Sequence, residues 1–317
     1  MEFGFELALA AHLEQQNRLV SRQLGGHVHG RRIVDLVCVE PGPEFDTRTA
    51  LSADTIPPTA IESDIGPGEA RYWKDGFDCH PARAREIVER AVECGFFERE
   101  RRNGRTYVRQ VARYPDWFDA LVAIENKPDL GRPGALETQL LSDVTLALFD
   151  RVVLATASHV TGAHRNRIPE AVGIWQFDPD TQTLTVIREA TPLSAEESGV
   201  EILTRTSAQT EVAFAREGEK TRARRRIAER AYGKGWRTYD LPACGRIAPD
   251  DAGLPHCPWK DRLVRPVTDC GPDCDGHDPA DPPPVDWDSL RSSRSPWTPD
   301  PEGKARQQSS LDQYLSR

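Results

Sequence analysis

Two short stretches carry the side chains best suited to hydrolytic chemistry. In RRIVDLVCVE (31–40), Asp35 sits between Val34 and Leu36 in a run of mostly apolar and β-branched residues. A carboxylate in such a strand needs a partner or a metal to offset its burial. In FDALVAIEN (118–126) the apolar run ends in Glu125-Asn126-Lys127, and Pro128 stops the strand directly afterwards. Residues two apart in a strand project from one face, ~7 Å apart at the backbone, so Glu125 and Lys127 are expected side by side. Carboxylates such as Asp35 and Glu125 hold a hard cation, Mg2+ or Mn2+, which makes a water nucleophilic and offsets charge gathering on a phosphate. The Asn126 carbonyl is a third candidate ligand, and Lys127 is suited to orient that water or to neutralise the phosphate. Lys occurs elsewhere only at Lys74, Lys220, Lys234, Lys260 and Lys304, which makes its place in this strand less casual. Against this stands the commonness of E-x-K triplets, and Asp119 on the same strand face is an alternative acid.

Three further groupings bear on function. Cys244, Cys257, Cys270 and Cys274 lie near His256 and His277. Thiols at this density suggest bound Zn2+, although only Cys270 and Cys274 are closely spaced and the wider gaps fit no standard zinc module. Free structural thiols are the alternative. Arginines gather at Arg99, Arg101, Arg102, Arg105, Arg109 and Arg113, and again at Arg222, Arg224, Arg225, Arg226 and Arg230, within a chain of net charge -9. Local concentration of Arg permits DNA binding despite that net charge. Arg99, Arg101, Arg102, Arg105, Arg224 and Arg225 are the candidate phosphate contacts, the alternative being a solvated face. Finally, Gln308, Leu311, Tyr314 and Leu315 fit the box by which peptides bind a sliding clamp (PCNA). Leu311, Tyr314 and Leu315 share one face of a single helical turn; packing on its own domain is the alternative.

The elements that must position these residues follow from patterning. Residues 3–17 read as an amphipathic helix rather than a signal peptide, since Glu2 and Glu6 interrupt the apolar part and no basic start precedes it. Strands are expected over 31–40, 118–126 and 151–157, with a helix over 135–149 between the last two. A helix over 81–94 and two basic strands around Asn103-Gly104, a strong hairpin signal, resemble half of a winged helix. Residues 172–190 read as a hairpin and 211–234 as a basic helix, while 278–307 is Pro, Asp and Ser rich and expected to be disordered. No apolar run reaches the ~18 residues of a membrane span. With no secretory signal, a cytoplasmic, membrane-free protein with reduced thiols is expected; Cys38 and Cys94 read as core. The acidic surplus, scarce Lys and single Met resemble proteins of halophilic archaea.

In this order of elements, Asp35, Glu125-Asn126-Lys127 and Gln139 resemble the core of PD-(D/E)xK nucleases, which include Holliday-junction resolvases and RecB-like enzymes. The resemblance covers roughly residues 3–40 and 117–158, with an unusually large insertion between the catalytic strands. It implies an α/β, restriction-endonuclease-like mixed sheet flanked by helices, and a Mg2+-dependent nuclease acting on DNA in repair or replication. Glu6 corresponds to the acid many members carry in the first helix, with Glu14 the runner-up, and Gln139 would hold the water or Lys127. RecB-like members also suggest an iron–sulfur cluster on the cysteines, with Cys38 or Cys79 supplying one ligand. The expected organisation is a core at 1–40 and 114–240, a winged-helix-like insertion at 70–113, an irregular Cys-rich segment at 241–277 and a tail at 278–317. The competing expectation is a catalytically inactive, clamp-bound DNA-binding adaptor.

Overall fold

Uninterrupted apolar strands need cover on both faces, and that is how the central sheet is built. The structure is a computed structural model and describes residues 2–132 and 134–302. Helix α1 (Glu2–Glu14) leads into β1 (Leu19–Gly25), which pairs antiparallel with β2 (Ile33–Pro41). An insertion follows: α2 (Phe45–Thr49), α3 (Pro58–Ile61), β3 (Arg71–Tyr72), α4 (Pro81–Glu93), β4 (Phe97–Arg102) and β5 (Arg105–Gln110). The chain then returns through β6 (Phe118–Asn126), α5 (Leu136–Leu146), β7 (Arg151–Thr156), α6 (Gly162–Arg167), β8 (Gly173–Asp178) and β9 (Thr183–Arg188). These give a sheet in the order β1-β2-β6-β7-β8-β9. β6, β7 and β8 are parallel neighbours, and the other pairings are antiparallel. The molecule is a mixed α/β fold with helices flanking a multi-stranded sheet.

Alternation sorts the strand residues between two cores. Leu36, Cys38, Val122, Ile124, Val153 and Ala155 pack with α1. Val37, Val39, Leu121, Ala123, Val152 and Leu154 pack with α5 and with α7 (Glu217–Gly233). A separate core formed by α4, the β3-β5-β4 sheet and the loops around them serves the insertion, with Asn103 and Gly104 at positive φ in the β4–β5 turn.

Several expectations need correction. Asp35 lies in the second strand, not the first, because β1 precedes it. Residues 211–215 are strand: β10 (Gly199–Arg205) and β11 (Thr210–Ala215) form a hairpin before α7. α1 is buried almost all round rather than on one side. The reason is the C-terminal segment, whose Leu254 and Leu263 join the core against its outer side.

That segment contains β12 (Ala248–Pro249), β13 (Pro255–Cys257), β14 (Arg262–Leu263) and α8 (Pro266–Asp269). Residues 278–302, expected to be disordered, include α9 (Trp287–Arg294), so the expected tail is in part structured. Trp287 packs edge-on to Trp236, and the Trp297 indole donates to the carbonyl of Tyr232 at 3.0 Å. Two large aromatics thus outweigh a composition that favours disorder. Among the described residues no helix is long and apolar enough to cross a membrane.

Candidate active site

The site forms where β2 and β6 run side by side. Their register pairs Leu36 with Ile124, which brings Asp35 beside Glu125-Asn126. The Asn126 amide N–H donates to Asp35 Oδ2 at 2.9 Å. Asp35 Oδ1 accepts from the Gln23 side chain at 3.2 Å, and the same Gln23 nitrogen donates to Glu6 Oε2 at 3.2 Å. Gln23 holds φ at +53°, inside β1 and opposite Asp35, between the Arg22–Leu36 and Leu24–Val34 pairs of an unbroken register. Such a conformation is costly for a side chain other than Gly; here it accompanies an amide linking two carboxylates. Glu6 also accepts from Arg22 Nε at 2.6 Å. Burial raises the Glu6 carboxyl above its ordinary range; Arg22 counteracts this and Asp35 adds to it.

On the other side of Asp35, Glu125 and Asp143 are each 2% exposed. Both meet one guanidinium. Arg32 donates to Asp143 at 3.2 and 3.0 Å and also binds Glu125 Oε1. Burial pushes the Glu125 carboxyl up to about 8; Arg32 opposes the shift, while Asp35 and Asp143 reinforce it. Burial likewise pushes Asp143 up to about 6, with Arg32 opposing and Asp35 reinforcing. Arg32 itself is held above its usual value: desolvation pulls it down, but the two carboxylates outweigh that.

Three of the four carboxylates meet a guanidinium, Glu6 that of Arg22 and both Glu125 and Asp143 that of Arg32, while Asp35 is held by Gln23 and the Asn126 N–H. Between them sits Asn126, 3% exposed, whose side-chain oxygen and nitrogen are both buried without a hydrogen-bond partner among the described residues. Orphaned amides of this kind are rare and call for a ligand, a water or a role in function.

The other expected residues fare unevenly. Lys127 is not held beside Glu125; its Nζ lies 3.6 Å from Glu2 at the start of α1. The regular strand ends at Asn126, so alternation no longer fixes where this long side chain goes. Gln139 is partly exposed on α5 and makes no side-chain hydrogen bond to a described residue. Asp143, one turn further along the helix, is the α5 side chain that meets the site, through Arg32. Glu14 instead pairs with Arg237 at 3.0 Å, whereas Glu6 shares the Gln23 amide with Asp35. Asp119 is exposed at the start of β6.

Arg99, Arg101, Arg102 and Arg105 are exposed on the insertion hairpin. Arg102 pairs with Glu69 and Glu100, and Arg105 lies over the Tyr72 ring. Arg224 is committed to Asp150 and to the Leu148 carbonyl, and Arg225 covers Tyr114. The Arg224 guanidinium is thus already engaged by protein groups, while Arg225 is half-buried. Cys38 is core beneath α1 and Cys79 packs on the insertion, both apart from the cluster of Cys244, Cys257 and Cys270. Gln308, Leu311, Tyr314 and Leu315 lie outside the described residues.

Sequence reasoning missed Asp143, Arg32 and Gln23. Asp143 was legible: Leu136, Leu140, Asp143 and Leu146 recur at helical spacing, which puts a carboxylate on the buried stripe of α5. Nothing in the sequence marks Gln23.

The fold and site thus define a mixed α/β protein with a buried acidic centre at the junction of two adjacent sheet strands. Residues 19–279 match the family of unknown function designated DUF5787, and the chain belongs to that family. No curated protein and no solved structure matches it.

Proposed function

We propose that the chain is a metal-dependent deoxyribonuclease of the PD-(D/E)xK type, with a restriction-endonuclease-like core, acting in repair or replication and tethered to a sliding clamp by Gln308, Leu311, Tyr314 and Leu315. The observation that carries this reading is the surplus of buried acid around Asp35 and Glu125, next to the orphaned Asn126 amide. All the donors are oxygens of carboxylates and an amide, which suits Mg2+ or Mn2+ better than a soft ion. Among the described residues no group of three or more His, Cys, Asp or Glu side chains is arranged to hold a metal. Arg32 engages Glu125 and Asp143, so loading requires it to release at least one of them.

A bound divalent ion would supply a nucleophilic water and charge neutralisation at the phosphate. Asp35 and Glu125 would hold it, with Asp143 and Glu6 as further oxygens. Burial pushes the Glu125 carboxyl up to about 8, so uptake of a divalent ion there would be coupled to release of a proton. Arg32, once displaced, is a bidentate donor suited to a phosphate. Lys127, only partly buried, has to leave Glu2 to reach the attacked phosphate. The exposed hairpin arginines would hold the DNA backbone.

A second reading has a specific observation in its favour. Arg32 already fills the place between Glu125 and Asp143, as it would in an inactive clamp-bound adaptor that kept the fold and lost the metal. The purified chain, incubated with Mg2+ or Mn2+ on single-stranded, duplex and branched DNA, separates the two. The nuclease reading expects cleavage that Asp35→Asn and Lys127→Ala abolish while DNA binding persists. DNA binding without cleavage under every metal supports the adaptor.

A further inference from the structure

The C-terminal segment from Cys244 to Pro279 poses a stability problem. It is shorter than the ~40 residues below which disulfides, metals or oligomerisation are usually needed to hold a fold. Its strands are two or three residues long. Its own buried core contains only Ile247 and Val264 besides two thiols, Cys244 and Cys257, with Leu241 and Cys270 packed against it. So small an apolar core leaves the module in need of a staple.

The cysteine-bearing turns are drawn to one another by contacts that do not involve sulfur. The Cys244 turn is tied to the far end of the module: the Gly245 N–H donates to the Asp278 carbonyl at 2.7 Å, and Cys244 bridges Pro279. The turn from Cys257 to Lys260 is closed by a 3.1 Å backbone bond, and Lys260 Nζ donates to the carbonyl of Asp269, next to Cys270. The Trp259 indole of that turn lies so close over Gly276 that a Cβ there would stand 2.4 Å from it. Gly276 belongs to the turn between Cys274 and His277, whose backbone bond is 2.8 Å. All four cysteines thus sit on interlocked turns.

We propose that Cys244, Cys257, Cys270 and Cys274 together hold one Zn2+ ion, which fastens this module over the outer side of α1. The site is separate from the acidic centre and does not depend on the nuclease reading. Four thiolates are a complete structural zinc set, with no open position for catalysis. Among the described residues the side chains do not stand in coordinating geometry. The ion draws the sulfurs together, as in small domains whose sites are completed only on binding.

The test uses the full-length protein purified under reducing conditions without added chelator. Elemental analysis should find about one zinc per chain, released in step with modification of the four thiols by a mercurial reagent. Cys244→Ser and Cys274→Ser should lose the zinc, and Cys79→Ser should keep it. Cys274 is only partly buried, so its variant tests ligation with little loss of packing. A strong chelator should lower the melting midpoint of the wild type and leave that of Cys274→Ser unchanged. Iron with inorganic sulfide and visible absorbance would overturn zinc in favour of a cluster on these thiols. Metal-free, folded protein with freely titrating thiols, or a disulfide among them, would overturn the site itself.

Discussion

Two arginines, the buried Arg48 and the partly buried Arg32, show how one kind of ion pair serves different ends. Arg48 and Glu229 are both 0% exposed, joining α2 of the insertion to α7. Each group is fully engaged. Arg48 also donates to the Ser52 and Asp54 carbonyls, while Glu229 accepts from the Ile56 N–H and the Tyr114 hydroxyl. One cation meets one anion, and the Tyr232 ring lies 4.3 Å from the guanidinium. Arg32 instead faces two carboxylates, with Asp35 close enough to push both of them upward. The first is a lock that keeps the insertion on the core. The second sets one cation against two carboxyls, and the raised Glu125 carboxyl holds a proton where a second cation would otherwise be needed.

The largest expected effect falls on the lock. Arg48→Met should cost about 3–5 kcal/mol of stability, since it strands Glu229 in the core without its partner. Urea unfolding checks this, and a loss below ~1 kcal/mol, the range of exposed pairs, would erase the contrast between the two arginines.

At the acidic centre the sign reverses. A carboxyl with its folded value raised to about 8 gives stability that is fully present below the ordinary value near 4.5 and is lost as pH rises through 8. Glu125→Gln should therefore be more stable than the wild type at pH 8–9 without metal, by on the order of a few kcal/mol. The difference should fade as pH drops toward 5. A pH-independent difference in thermal melts would mean that Glu125 is balanced as Glu229 is.

Smaller effects sharpen the comparison at the periphery. A peptide spanning residues 306–317 should bind a sliding clamp, with Tyr314→Ala weakening it by on the order of 1–3 kcal/mol through the loss of one buried anchor. Calorimetry with equal affinities for both peptides would remove the tether. Replacing Arg99, Arg101, Arg102 and Arg105 singly should flatten the salt dependence of DNA binding by about one unit of slope per lost contact. The same change at Arg224 should leave that slope unaltered, because its guanidinium already serves Asp150.

What the sequence reveals here tracks how local each cause is. Asp35 and Glu125 stand out because each interrupts an apolar strand, and β6 has the expected bounds because its residues are buried on both faces. The Asn-Gly turn marks the insertion hairpin unaided. Arg32 and Gln23 acquire meaning only through tertiary approach: one reaches α5 from the start of β2, and the other lies in β1 opposite Asp35 and within reach of Glu6. The β10–β11 hairpin escaped because its turn, Thr-Ser-Ala-Gln, contains neither Gly nor Pro and β11 is largely exposed. Lys127 shows the limit of alternation arguments, which fail one residue beyond the strand's end.

The most direct test of the central claim is a calorimetric titration of Mn2+ into the metal-free protein at pH 7, repeated in buffers of different ionisation enthalpy. The account predicts saturable binding that releases up to about one proton per site, from Glu125, and that Glu125→Gln and Asp35→Asn weaken severely. Absence of binding, or binding of equal strength by both variants, would contradict it and leave Arg32 as a second structural lock.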